Sequence, residues 1–140
     1  VLKTWKCDIC GEATESVEDA YAYWRDDVQG REVDFKIAHK MRCDPGPEFV
    51  NCMDIDEFLG DDGLTRLLAM LSAGPLKGPQ GGEVHVADLN EFVDFVRRLH
   101  TPGYEEARPH FRSHEVQEAY CDTDEVFPYL QENLEQIAKS

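Results

Sequence analysis

The chain has 140 residues and a mass of 16.0 kDa, which fits one compact domain or a small domain with an appendage. Its 29 Asp and Glu outnumber 14 Lys and Arg for a formal charge of −15, which argues against DNA or RNA held by charge. Hydrophobic residues make up 41 %, enough for a core that closes without disulfides.

Val-Leu at the start is followed at once by Lys-Thr-Trp-Lys, so no apolar stretch of the kind a secretory leader carries is expected. Val1, with few Asn and Ile, suits a GTG start in a GC-rich bacterial genome. No run approaches the roughly 18 apolar residues of a membrane helix. Five cysteines, an odd number, speak against a disulfide framework and for a reducing cytoplasm.

Cys7-Asp8-Ile9-Cys10-Gly11 forms a knuckle, with Trp5 placed to cover one side of whatever it binds. Tyr21, Tyr23 and Trp24 have strand propensity, and Val33, Phe35 and Ile37 alternate with polar residues as one face of a second strand. The polar segment Asp26 to Arg31, with Gly30, predicts a hairpin turn between them. Asp44-Pro45-Gly46-Pro47 ends regular structure. Leu64, Leu67, Leu68 and Leu71 then mark an amphipathic helix stopped at Gly74-Pro75, and a Gly- and Pro-rich connector runs from Ala73 to Gly82. Val84, His85 and Val86 suit a brief strand. Asp88 and Glu91 read as a capping box for a helix carrying Leu89, Phe92, Val93, Val96 and Leu99, ended by Thr101-Pro102-Gly103. A helical segment from Tyr104 to Tyr120 should bend near Pro109. A last one over Val126–Ala138 should turn Phe127, Leu130, Leu134 and Ile137 inward.

This order predicts an α+β fold: a β-hairpin module at residues 1–53, carrying the cysteine knuckle, packed with an acidic, all-helical part at 54–140, together one unit. Residues 1–53 hold 7 basic and 11 acidic residues (−4), and 54–140 hold 7 and 18 (−11), so the acidity belongs mainly to the helical part. A solvated surface accounts for it; the sharper reading is a face matched to a basic protein partner, nucleic-acid mimicry included.

Cys7-x2-Cys10 followed by His39-x3-Cys43 supplies two close ligand pairs, the arrangement that closes a tetrahedral Zn2+ site with little chain strain. His39 lies two residues beyond Ile37 on the inward face of its strand, and the hairpin carries the second pair back toward the first. Lys6, Lys40 and Arg42 are bases suited to a site whose three thiolates and one dication sum to about −1. Trp-x-Cys-x2-Cys-Gly, a hairpin and a second ligand pair resemble the zinc-ribbon or treble-clef class of small zinc modules. The whole chain also resembles small uncharacterised bacterial proteins with an N-terminal knuckle and an acidic helical tail. That resemblance implies structural zinc on Cys7, Cys10, His39 and Cys43. Treble clefs usually place their second pair at the start of a helix, whereas Asp44-Pro45-Gly46-Pro47 allows at most one turn here.

Alternatives remain at this level. Cys7 and Cys10 suit a redox dithiol, Cys52 is an alternative fourth ligand to Cys43, and Cys121 reads as a buried, inert thiol. His110 and His114, followed by Glu115 and Glu118, suit either an ordinary surface pair or a second metal site. Asp54, Asp56, Glu57, Asp61 and Asp62 fail the calcium-loop pattern because Phe58 and Leu59 fall on ligand and glycine positions. No phosphate-cradling glycine loop or nucleophile elbow is present. The expectation is a non-enzymatic protein-interaction or regulatory module with structural zinc. Its alternatives are a hydrolase using a three-ligand zinc with Glu12 or Glu48 as acid, and a dithiol oxidoreductase.

Overall fold

Strands β1 (Ala20–Asp26) and β2 (Glu32–His39) form the expected antiparallel hairpin. Asp27 builds its turn by accepting at Oδ1 from the N–H groups of Gln29 and Arg31, and Gly30 supplies the left-handed residue at φ 79°. The computed structural model describes residues 4–77 and 86–140. A third strand, β3 (Asn51–Asp54), absent from the expected elements, pairs antiparallel with the other edge of β1, giving the order β2-β1-β3.

The pairing shifts by one residue between Tyr23–Lys36 and Arg25–Val33. This bulge places Asp34 at φ 58° and turns Val33 onto the face of Arg25, away from Phe35 and Ile37. The simple alternation expected for Val33, Phe35 and Ile37 therefore breaks at Asp34. Glu32 takes the inward side in place of Val33 and accepts from Trp24 Nε1 at 2.6 Å. The strand's free edge is also closed. Asp8 N–H donates to the Ile37 carbonyl, Asp8 Oδ2 accepts from Ile37 N–H, and Ala87 N–H donates to the Glu32 carbonyl.

Helices α1 (Gly60–Ala69), α2 (Gly74–Lys77) and α3 (Leu89–His100) follow the sheet in the chain. Trp24, Phe35, Phe58, Phe92 and Phe95 interlock in the core with Ile37, Ile55, Leu67 and Leu99, the Phe35 and Phe95 rings stacking 5.0 Å apart. Of the stripe expected on α1, Leu67 is buried and Leu71 packs against the core, but Leu64 and Leu68 face solvent. Gly74-Pro75 opens a helical turn rather than ending one. The expected strand at Val84-His85-Val86 lies largely outside the described residues; Val86 itself bridges to Glu32.

Two compact units divide the chain, one spanning residues 2–100 and the other 101–140. The compositional step at residue 53 falls inside the first, because Phe58, Leu67, Phe92 and Phe95 complete the core under the sheet. In the second unit α4 (Tyr104–Ala107), a 3-10 turn over Arg108–His110 and α5 (His114–Tyr120) give the bend expected near Pro109. A turn at Phe127–Tyr129 then leads into α6 (Gln131–Ala138). Leu134 and Ile137 pack with Tyr104, Ala107 and Val116, whereas Phe127 and Leu130 point outward, since the segment is a 3-10 turn followed by extended backbone at Leu130. The architecture is α+β. Among the described residues no helix is long and apolar enough to cross a membrane.

Candidate metal centre

The first ligand pair lies on a tight loop. Cys7 N–H donates to the Glu12 carbonyl, Gly11 N–H to the Cys7 carbonyl, and Gly11 turns the chain at φ 82°. Lys6 and Ala13 bridge across the base of the loop. Inside it the N–H groups of Ile9 and Cys10 point at Cys7 Sγ at 3.4 and 3.5 Å. Such donors favour a thiolate over a thiol. Burial pushes the Cys7 thiol up, but hydrogen bonds from Cys10, Ile9 and His39 outweigh it and bring its pKa from 9.0 to about 6.

The second pair comes from the end of β2. His39, opposite Ala20 on the inward face, is fully buried, and Cys43 returns to it through a turn in which Cys43 N–H donates to the His39 carbonyl. Met41 takes φ 65° there, exposing its side chain. His39 Nδ1 lies 3.4 Å from Cys10 Sγ and 3.6 Å from Cys43 Sγ, while Nε2 lies 3.1 Å from the Ala13 carbonyl. With Nε2–H donating to that carbonyl, Nδ1 keeps its lone pair toward the sulfurs, the usual way a backbone acceptor orients a metal-binding imidazole.

One donor atom from each of Cys7, Cys10, His39 and Cys43 lies within 4.8 Å of all the others. A tetrahedron with bonds of about 2.3 Å to sulfur and 2.0–2.1 Å to nitrogen requires nitrogen–sulfur separations of about 3.6 Å. The two observed separations, 3.4 and 3.6 Å, match it. Charge leads to the same fit. Burial and the neighbouring Cys7 and Cys10 sulfurs push the Cys43 thiol up, so the three sulfurs resist sharing negative charge unless a cation sits among them. These residues can hold a metal ion.

Of the bases expected at the site, Arg42 is engaged. Its guanidinium donates to Cys10 and Cys43, which raises its pKa, and it contacts Glu12 Oε2 at 3.3 Å. Lys40 is directed elsewhere, pairing with Asp54 at 2.7 Å and lying over the Tyr21 ring. Cys52 sits on β3 opposite Tyr23, on the sheet face away from the core, and is not part of the cluster. Cys121, expected to be buried, is exposed just after α5. His114 faces Glu118 on an exposed surface, and no second group of metal-binding side chains converges among the described residues. His85 lies outside them.

A further set of contacts had no signal in the sequence. Arg98 of α3 is almost fully buried; its Nη1 donates to Asp8 Oδ2 at 2.7 Å and its Nη2 to the Lys6 carbonyl at 3.0 Å. Trp5 N–H donates to Thr14 Oγ1, and its indole N–H to the Arg98 carbonyl at 2.8 Å, so Trp5 is built into the main core. Comparison with models of known protein families, with curated proteins and with solved structures gives no match to this chain.

Proposed function

We infer that the chain binds one Zn2+ through Cys7, Cys10, His39 and Cys43, and that the metal is structural. The observation carrying this is the convergence of three sulfurs and one imidazole nitrogen within 4.8 Å of one another, two of the nitrogen–sulfur separations matching those of a tetrahedral site. Four protein ligands leave no position for water, so Lewis-acid chemistry is not available at such a centre. Glu12, the acid a hydrolytic reading would use, is paired with Arg42. Around this staple the protein acts as an interaction or regulatory module in a reducing cytoplasm. Exposed Leu64 and Leu68 on α1, one turn apart and close to the first-turn acids Asp61 and Asp62, support a protein partner with apolar and basic groups.

Metal content of the purified native protein tests the reading: one Zn2+ per chain is expected, lost in Cys7→Ser and His39→Ala. Wild-type protein without stoichiometric metal would overturn it. The lowered Cys7 thiol supports a dithiol oxidoreductase as the second reading, which then requires a reversible Cys7–Cys10 disulfide in metal-free protein.

A further inference from the structure

We propose that Arg98 is the positioning residue of the metal centre, holding the Cys7–Cys10 loop in ligating geometry so that metal binding and the docking of α3 are coupled. The proposal rests on the zinc reading above.

Asp8 occupies the position between the two cysteines of the knuckle, and its Oδ2 is held from two directions. Ile37 N–H of β2 donates to it at 2.7 Å, and Arg98 Nη1, ninety positions away in sequence, donates at 2.7 Å. The same guanidinium binds the Lys6 carbonyl on the residue just before Cys7. Both sides of Cys7 are thus fixed by one side chain, which is 1 % exposed. The Asp8 side chain is 19 % exposed, so two charges largely withdrawn from water are paired here.

Arg98 acts on the knuckle through Asp8 and the Lys6 carbonyl, the acceptors on either side of Cys7. The three thiolates and a dication carry about −1, and the Asp8 carboxylate adds another negative charge on the same loop. Arg98 offsets that charge from inside the core, while Arg42 does so from the exposed side. Trp5 closes the arrangement by bonding back to the Arg98 carbonyl. A loop fixed in this way loses little freedom when metal binds, and by reciprocity the bound metal holds the acceptors on which α3 docks.

The test uses the full chain and three measurements: zinc affinity by chelator competition, the thiolate-to-cobalt charge-transfer band of Co2+-loaded protein, and hydrogen exchange in α3 with and without metal. Arg98→Met keeps most of the buried stem and removes the donors. It should bind one metal per chain about 10–100-fold more weakly, the range typical for groups that orient ligands. Arg98→Lys, able to reach Asp8 but not both acceptors, should recover part of that loss. Chelation should accelerate exchange in wild-type α3 and add little in Arg98→Met. A general stabilising role would instead lower stability equally with and without metal and leave affinity unchanged; that result overturns the proposal. Should Arg98→Met fail to fold, Asp8→Asn, which keeps an acceptor for Ile37 N–H, takes its place, with unchanged zinc affinity again the contrary result. Absence of metal in wild type would instead defeat the zinc reading itself.

Discussion

Gly63 lies in the first half of α1, where the helix meets the backbone of Phe58. A Cβ at this position would sit 2.1 Å from the Phe58 carbonyl carbon, and backbone cannot rotate aside as a flexible side chain can. Gly63→Ala should therefore cost about 3 kcal/mol, the upper end for an overpacked site, read as a lowered denaturation midpoint. An unchanged midpoint would mean that α1 shifts freely on Phe58. At this scale the residues of the cluster were legible, because two cysteines with two residues between them and a His and Cys with three between them leave few chemical uses, and alternation from Ile37 placed His39 inward. Arg98 was not legible: on the α3 pattern it reads as a solvated charge, and its partner Asp8 is brought to it only by the tertiary fold.

Among the elements, β2 shows how a strand and a helix settle each other's unpaired groups. The bulge at Asp34 takes that residue's N–H out of the ladder, and Glu91 of α3 accepts it, while the Asp34 carboxylate pairs with Arg25. Glu91 was expected to reach back to its own helix start as a capping box. Asp88 caps alone, accepting from the N–H groups of Asn90 and Glu91 at 2.9 and 3.3 Å. Glu91→Ala should cost about 1–3 kcal/mol by leaving the bulge N–H without its acceptor, with faster exchange at Asp34 than elsewhere in β2. Loss of helix content in α3 with normal exchange at Asp34 would restore the capping-box role. The hairpin and α3 were readable because each carries a long regular pattern. β3 was not, since four residues after a proline-rich loop carry too short a pattern to separate from loop. The outward Leu64 and Leu68 also exceed what periodicity conveys, for Leu67 joins the core with Phe58 while Leu64 and Leu68 are left on the solvent side.

For the whole molecule, each compact unit closes its own core, the Cys7, Cys10, His39 and Cys43 cluster lying in residues 2–100 and a smaller apolar cluster around Tyr104, Leu134 and Ile137 in 101–140. Chelation should strip exchange protection from β1 and β2, whose ends carry His39 and the knuckle contacts, and leave the amides of Val116, Leu134 and Ile137 protected. Equal loss in both units would show one cooperative structure instead. The overall α+β character followed from the change of hydrophobic period along the chain, whereas the division at residue 100 did not, because it follows the closure of two cores rather than any change in composition. Zinc X-ray absorption on the native protein reads a closed Cys3His zinc centre directly: three sulfur neighbours at about 2.3 Å and one nitrogen at about 2.0–2.1 Å are expected. A water oxygen in place of a sulfur, or no zinc edge at all, would rule that centre out.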